Sequence, residues 1–349
     1  MILLMKFLYS PKTMLFRRFF ERGIFAVLLC AALPPAGAQE PDDVVRTETS
    51  LVQLNVGVVD PRGRAVTSLS RNDFAVYEDG VKQQILHFEP TNAPFSLVLL
   101  LDTSGSTISF RDQFKSAASR FLDALAPDDR VAVIQFNAKV KALSRFSTDR
   151  KKTAYAIQIA EGAGETHFYE ALKYALNELD KEGTQRRKAI VVMTDGLDTL
   201  QRNLDRPVLA KAQTDAEAIA AIDAKASSTL NSVLNAADRQ GVSIFPLALP
   251  SGDPKRLPLP DPVITGIYSA ARTRLQSLAD RTGGRLHEIA RLDHMARLYA
   301  EVAAELRTLY TVAYQPPSDR SRRGKWHEIK IEVGQPQLIV RTRPGYFAR

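Results

Sequence analysis

Three nearly continuous apolar runs constrain the fold of this 349-residue chain more than any other feature. They cover residues 96–101, 131–136 and 189–193. Strands that are buried on both faces have this composition, and they usually belong to parallel sheets covered by helices. Between the runs, apolar residues recur at helical spacing in residues 110–125 and 168–179. The alternation predicts an α/β domain with a doubly wound, mostly parallel, Rossmann-like sheet.

The segments on either side of this domain are predicted to form β-structure. "SLVQLNVGVVD" near the start and "KWHEIKIEV" near the end alternate apolar and polar residues, as half-buried strands do. Each segment supplies only a few strands, which are marginally stable in isolation. We therefore expect residues 39–93 and 310–349 to join in one small β module beside an α/β domain at 94–309.

Two parts of the α/β domain are less regular. Residues 200–240 are rich in alanine and charged residues, which predicts one long helix after an inserted loop. Pro246 interrupts the strand pattern "GVSIFPLAL", so a bulge or a lost pairing is expected there. Five prolines in residues 250–262 predict an irregular excursion.

The first 38 residues have the features of an export signal. Basic residues precede an apolar run at 23–33, and the small-residue site Ala36-Gly37-Ala38 follows it. We predict a signal peptide at 1–38 and an exported protein, whether periplasmic, at the cell surface or secreted. A retained membrane anchor is the alternative, although the run is short for a bilayer.

Charge and cysteine content exclude several classes of function. The 38-residue leader holds five of the 47 basic residues and one of the 39 acidic ones, so the formal net charge falls from +8 to +4 without it. A nucleic-acid partner is therefore not expected. The single cysteine, Cys30, lies in the leader, where lipid attachment is an alternative to simple cleavage. The remaining chain has no thiol for disulfides or thiolate metal sites.

Polar side chains follow two of the apolar runs, at the point where each predicted strand ends. Asp102 closes the first run and is followed by Ser104 and Ser106, and Asp195 closes the third. Thr166 lies immediately before a predicted helix. The carboxyl ends of the strands in an open α/β sheet form its ligand-binding edge. Because hydroxyl and carboxylate oxygens suit hard cations, these five residues predict a Mg²⁺ site.

This pattern resembles the metal-ion-dependent adhesion site of von Willebrand factor type A (VWA) domains, over roughly residues 94–309. The motifs are D-x-S-x-S after a buried strand, a threonine before a helix and an aspartate in a T-D-G turn. The resemblance implies that Ser104 and Ser106 contact the metal directly, and Thr166 directly or through water. It implies that Asp102 and Asp195 hold the metal's waters, and that a carboxylate of a partner protein completes the coordination.

A narrower resemblance concerns a bacterial subfamily of exported VWA proteins, best known from acidobacteria. It rests on the leader, on "NDFAVYEDG" in the head and on "RTRPGY" in the tail. The implied protein is not an enzyme and binds a protein ligand through Mg²⁺, with Mn²⁺ and Ca²⁺ as other candidate ions and possible envelope association. The alternative is a structural cell-envelope component in which the metal only stabilises loops.

Enzyme classes fit the motifs less well. "LLLDTSGS" is similar to the aspartic protease signature, but Ser104 intervenes before the glycine and no second motif supplies a paired carboxylate. Aspartyl phosphoryl transfer usually needs a second carboxylate where Ser104 stands. A G-x-x-x-x-G-K-[ST] loop is missing from the sequence, so nucleotide binding is not expected.

Simpler roles are open for several of these polar residues. Ser104 and Ser106 could merely cap the following helix. Asp198 is interpreted as a solvated loop acid, with support of the metal ligands as the alternative. His167 adjoins the site but is interpreted as a surface histidine, and Tyr169 and Trp326 as packing residues. His287, His294 and His327 show no metal-ligand spacing in the sequence.

Overall fold

The computed structural model describes residues 51–183, 186–251, 253–256, 259, 261–317 and 322–348. The predicted signal peptide at 1–38 lies outside the described residues. The described residues form one compact unit. Within the described ranges, no helix combines the length and the apolar character that crossing a bilayer requires.

Strands are distributed along the whole described chain, and helices lie only in its middle part. The first four strands are β1 (Val52–Val59), β2 (Phe74–Glu78), β3 (Val81–Gln83) and β4 (Ile85–Glu89). The next six are β5 (Phe95–Asp102), β6 (Arg130–Phe136), β7 (Val140–Ser147), β8 (Arg187–Thr194), β9 (Ser243–Ala248) and β10 (His287–Glu288). The last four are β11 (Leu309–Tyr314), β12 (Trp326–Val333), β13 (Ile339–Arg341) and β14 (Gly345–Phe347). The helices are α1 (Arg111–Ala124), α2 (Arg150–Gln158), α3 (Phe168–Asp180), α4 (Thr199–Leu209), α5 (Asp215–Ala221), α6 (Ser228–Gln240), α7 (Pro262–Thr282) and α8 (Met295–Arg307).

The central sheet has six strands in the order β10-β9-β8-β5-β6-β7. Neighbouring strands run parallel, except that β7 is antiparallel to β6. Successive residues of β5 face opposite layers, because side chains alternate across a strand. Leu99 packs in the layer of α1, α2 and α8, whereas Leu100 packs in the layer of α3, α6 and α7. The predicted doubly wound, mostly parallel fold is confirmed.

The single long helix predicted for residues 200–240 is wrong, because the chain forms α4, α5 and α6 there. Side-chain hydroxyls start the second and third of these helices. Thr214 accepts a 3.2 Å hydrogen bond from the amide of Glu217, and Ser227 accepts a 3.3 Å hydrogen bond from the amide of Leu230. Such caps satisfy amides at a helix start and so define new helices within an alanine-rich segment.

Pro246 lies within β9, where a bulge or a lost pairing was expected, and the structure shows the lost pairing. The pairing of β9 with β8 continues through Val192 and Pro246 without a shift of register. The other neighbour, β10, pairs only with Leu247 and Ala248. Pro246 therefore has a strand partner on one side only, which is how a sheet tolerates proline.

Strands from the head and the tail of the chain form two further four-stranded sheets. Their orders are β13-β1-β11-β4 and β14-β12-β2-β3, and all the pairs are antiparallel. Leu54 and Val312 of the first sheet and Val76 and Ile331 of the second share one buried cluster. The two sheets therefore pack face to face as a small sandwich. The residue boundaries predicted for the domains stay a prediction.

Buried polar contacts fasten this sandwich to the central α/β layer. The side-chain amide of Asn55 donates to the carbonyl of Gly241 (3.1 Å) and to the hydroxyl of Ser243 (3.0 Å). Arg343 donates to the carbonyl of Asp238 at 2.6 Å. Because buried polar groups that lose their partners are costly, these contacts hold the two parts in one orientation.

Candidate metal centre

Two aspartates stand side by side where the central strands end. Asp102 is the last residue of β5, and Asp195 directly follows β8. Since β5 and β8 are parallel neighbours, their carboxyl ends meet at the same edge of the sheet. Both aspartates are buried.

The loop after β5 folds back onto Asp102. The amide and the hydroxyl of Ser104 both donate to Oδ1 of Asp102, at 3.0 and 2.6 Å. The hydroxyls of Ser104 and Ser106 lie 3.2 Å apart. Ser104 precedes a short 3₁₀ helix at Gly105–Phe110, but its side chain makes no capping hydrogen bond. The simple capping role that was open for Ser104 is therefore wrong.

The loop that carries Thr166 is brought against this turn by close backbone contact. The amide of Gly105 donates to the carbonyl of Gly164 at 3.0 Å. Gly164 has a φ of +86°, a backbone conformation that residues other than glycine rarely adopt. A Cβ atom on Gly162 would lie 2.4 Å from Nδ2 of Asn137 and 2.7 Å from Oγ1 of Thr103. The glycines thus allow the two loops to touch.

Thr166 itself is positioned through its backbone. Its amide donates a 3.0 Å hydrogen bond to the hydroxyl of Thr199, and its carbonyl accepts a 2.8 Å hydrogen bond from the amide of Thr199. Among the described residues, no side-chain hydrogen bond joins Thr166 to the other four predicted ligands. The structure therefore brings Thr166 to the loop cluster by its main chain, while Asp102, Ser104 and Ser106 are joined by their side chains.

The turn after β8 aims Asp195 into the interior. Oδ1 of Asp195 accepts a 3.0 Å hydrogen bond from the amide of Leu197, and Arg272 donates to the Asp195 carbonyl at 2.8 Å. Gly196 has a φ of +82°, which this tight turn requires. Oδ2 of Asp195 is buried and has no hydrogen-bond partner among the described residues.

Burial dominates the electrostatics of the two carboxyls. Burial, followed by the carboxylate of Asp195, raises the pKa of Asp102 to about 7, although hydrogen bonds from Ser104 and Thr194 oppose this shift. Burial also raises the pKa of Asp195, while the nearby Ser106 hydroxyl, the Leu197 amide and the Arg272 guanidinium lower it.

These residues fit a hard divalent cation. Hydroxyl and carboxylate oxygens are the donors that Mg²⁺, Mn²⁺ and Ca²⁺ prefer. Two buried carboxyls disfavour each other's ionised form, and a dication between them would remove that penalty. The unpartnered Oδ2 of Asp195 is a buried acceptor that such an ion, or its water, would satisfy.

Two residues near the centre make contacts that the sequence did not predict. Thr194 donates to Oδ2 of Asp102 at 2.7 Å. Asp198 is buried, so its interpretation as a solvated acid is wrong. Asp198 accepts from the amide of Gln201 at 2.9 Å, capping α4, and from the amide of Tyr169 at 3.3 Å. The aspartate directly before a helix was the available signal for this role.

A second group of ionisable residues lies in the sandwich. Ligand atoms of Glu78, Asp79 and His327 lie within 4.8 Å of one another, a spacing that would suit a metal ion. Nδ1 of His327 is 2.7 Å from Oδ2 of Asp79. However, buried Glu78 already pairs with the guanidinium of Arg322 and the hydroxyl of Tyr314. We interpret this group as an ion-pair network, and 248 residues of separation hid it from sequence reasoning.

Residues 97–197 match the family model of the von Willebrand factor type A domain. The chain contains a VWA domain. The match covers less than a third of the 349 residues and includes both aspartates of the candidate centre. The narrower resemblance to acidobacterial exported proteins is not tested by this match and stays a prediction.

Curated relatives of this VWA-containing chain share only a part of its length. The uncharacterized protein sll0103 of Synechocystis sp. is 35% identical over 106 residues, which are 30% of this chain and 25% of the relative. The human voltage-dependent calcium channel subunit alpha-2/delta-2 is 27% identical over 127 residues, which are 33% of this chain and 11% of the relative. The chain thus spans a quarter or less of the length of these relatives.

Solved structures similar to the VWA-containing chain include two from bacteria. The vWF domain of the type V pili tip protein Mfa5 from Porphyromonas gingivalis aligns with a TM-score of 0.45 and 15% identity, covering 61% of this chain and 95% of that one. A von Willebrand factor type A protein from Catenulispora acidiphila aligns with a TM-score of 0.43 and 12% identity, covering 86% and 73%.

Proposed function

We propose that this chain is an exported VWA protein that binds a partner protein through a divalent cation held by Asp102, Ser104, Ser106, Thr166 and Asp195. One observation carries the proposal: two buried carboxyls meet at the ends of β5 and β8, and Oδ2 of Asp195 has no partner among the described residues. VWA domains commonly mediate protein–protein interactions, and they are generally not enzymes.

Four of the five residues have a role that their contacts support. Ser104 donates a hydrogen bond from its hydroxyl to Asp102, so its oxygen is turned into an acceptor that a cation can bind. Ser106 is exposed and lies beside Ser104, at the solvent side of the centre. Asp102 and Asp195 supply the negative charge. A bound Mg²⁺ would supply a Lewis-acidic position that an acidic side chain of a partner can occupy.

The first test is binding of the metal alone. Isothermal titration calorimetry of Mg²⁺ and of Mn²⁺ into the full chain should register binding that Thr166→Ala and Asp195→Asn weaken or abolish. Thr148→Ala is the matched control, because Thr148 is exposed beyond the end of β7. Circular dichroism should show that all variants keep the fold. Absence of binding heat in the parent chain would contradict the proposal.

The second test separates partner binding from a purely structural metal. Immobilised chain is incubated with cell-envelope proteins in Mg²⁺ and in EDTA, with Thr166→Ala alongside. We expect specific capture that EDTA and Thr166→Ala both remove. If the chain binds Mg²⁺ but its captured proteins are the same in EDTA, the metal only stabilises the loops and the adhesion function is wrong.

A further inference from the structure

Helix α4 buries Leu209 but exposes three other apolar side chains. Leu200, Leu204 and Val208 follow one another at a spacing of four residues, so they lie on one face, and they are 64%, 67% and 51% exposed. Asp205 faces the interior instead, where two hydrogen bonds of 2.6 and 2.9 Å join it to Arg274. Apolar residues on the face of a surface helix normally point to the core, so these three exposed side chains are unusual. We call the three exposed residues the α4 ridge.

The α4 ridge is continuous with the candidate metal centre. Thr199, the first residue of α4, exchanges two hydrogen bonds with Thr166, and the ridge begins at the next residue. From Leu200 to Val208 the ridge extends about 12 Å along the helix axis. Ile108, two residues after Ser106, is also half exposed. Apolar side chains thus adjoin two of the loops that carry the predicted ligands.

The exposed charges on and next to α4 are positive, which indicates the kind of partner. Its only acidic residue is Asp205, which is buried and paired with Arg274. Arg206 is exposed and forms no salt bridge within the described part of the chain, and exposed Lys211 follows the helix. An exposed apolar stripe bordered by cations is complementary to a segment that is both apolar and acidic.

We infer that the α4 ridge is the docking surface for a partner segment whose acidic residue binds at the metal centre and is flanked by apolar residues. The inference rests on the proposed function and adds the composition of the partner to it. The apolar side chains of the segment cover the ridge, and a further acidic residue pairs with Arg206. In such interfaces, buried apolar contacts supply most of the affinity and charge pairs orient the segment.

A second copy of this chain is a poorer occupant. A symmetric dimer through this surface would place α4 against α4. The exposed charges of both copies would then be Arg206 and Lys211, which repel one another. The partner is therefore expected to be a different protein with acidic character.

The inference is tested with random short peptides displayed on phage. The library is selected on the immobilised full chain in Mg²⁺ and eluted with EDTA, and the most enriched peptide is labelled for fluorescence anisotropy. We expect enriched sequences in which apolar residues flank an acidic one. Leu204→Ser and Arg206→Glu should each lower the affinity of the chain for the peptide about tenfold or more. Leu86→Ser on β4 and Arg120→Glu on α1, which make the same changes at other exposed sites, should leave its affinity unchanged.

The outcomes distinguish this inference from the function on which it rests. Calorimetry should show that Leu204→Ser binds Mg²⁺ as the parent does. The docking surface alone is wrong if Mg²⁺-dependent peptides bind Leu204→Ser with unchanged affinity. It is also wrong if these peptides lack the apolar and acidic pattern. A selection in which EDTA releases no enriched sequence overturns the docking surface. If calorimetry also shows no heat of Mg²⁺ binding, the proposed function is overturned as well. If analytical ultracentrifugation detects a dimer of the parent chain, and Leu204→Ser is monomeric, the ridge is a self-association surface instead.

Discussion

The hydroxyl of Thr194 donates a 2.7 Å hydrogen bond to Oδ2 of Asp102, across 92 residues of sequence. The two residues end β8 and β5, so this bond joins the carboxyl ends of two neighbouring strands. The same hydroxyl oxygen accepts a 2.9 Å hydrogen bond from the amide of Gly196, in the turn that carries Asp195. Thr194 therefore positions both acidic residues of the candidate metal centre.

Replacing Thr194 with valine should loosen this arrangement. The substitution keeps the shape of the side chain but removes the donor to Asp102, and an unsatisfied buried acceptor costs about 1–3 kcal/mol. We expect the free energy of unfolding in EDTA, measured by urea denaturation, to fall by that amount, and Mg²⁺ binding to weaken. Thr148→Val at an exposed position is the control. Stability and Mg²⁺ affinity equal to those of the parent chain would show that the bond is dispensable.

The stability of the metal-free protein should fall as the pH rises toward 7. Burial and the neighbouring Asp195 raise the pKa of Asp102 from 3.8 to about 7, so between these values the folded state binds more protons than the unfolded state. The free energy of unfolding then decreases with increasing pH through this window. Urea denaturation in EDTA from pH 4 to pH 8 measures the slope. Asp102→Asn should reduce it, and an unchanged slope in that variant would assign the effect to other groups.

Metal binding should show the opposite dependence on pH. A cation binds the ionised carboxyls, so its binding below pH 7 displaces protons and its affinity increases as the pH rises. Calorimetry at pH 6 in two buffers with different heats of ionisation counts the released protons. We expect proton release at pH 6 and little at pH 8. Equal heats in both buffers at pH 6 would mean that Asp102 is already ionised.

Gly162 should tolerate no side chain. A Cβ atom there would lie 2.4 Å from Nδ2 of Asn137, closer than side-chain atoms approach one another. Gly162→Ala should therefore move the loop that carries Thr166, destabilise the fold by about 1–3 kcal/mol and weaken Mg²⁺ binding. Gly334→Ala, which meets no atom within 4 Å, should have little effect in the same denaturation and calorimetry experiments. Comparable results for the two variants would contradict the close contact.

The buried pair of Asp205 and Arg274 should be costly to break from one side. Arg274→Met leaves the carboxylate of Asp205 buried without its partner, which destabilises proteins by about 3–5 kcal/mol. The double variant Asp205→Leu, Arg274→Met removes both charges and should recover most of the lost free energy of unfolding. Urea denaturation of the two single variants and the double variant completes the cycle. Additive losses would indicate that the two side chains do not act as a pair.

Much of the fold could be predicted from the sequence because its signals are local. A strand that is buried on both faces must be apolar whichever elements cover it, so Val98 and Leu100 reveal β5 without knowledge of α3 or α6. The long helix expected over 200–240 was wrong for a local reason too. Thr214 and Ser227 are ordinary polar residues in sequence, and only their capping bonds show that they start helices.

The sequence by itself determined the residue types of the candidate centre, since D-x-S-x-S and T-D-G each follow an apolar run. Tertiary structure alone decided which other groups support them. Thr194 binds Asp102, and His327 binds Asp79, although both pairs are far apart in the chain. The burial of Asp198 likewise depends on elements that pack around it. The same holds for the α4 ridge, which faces solvent while Asp205 of the same helix binds Arg274 in the interior. Periodicity shows that a helix has two faces, but only packing decides which of them is covered.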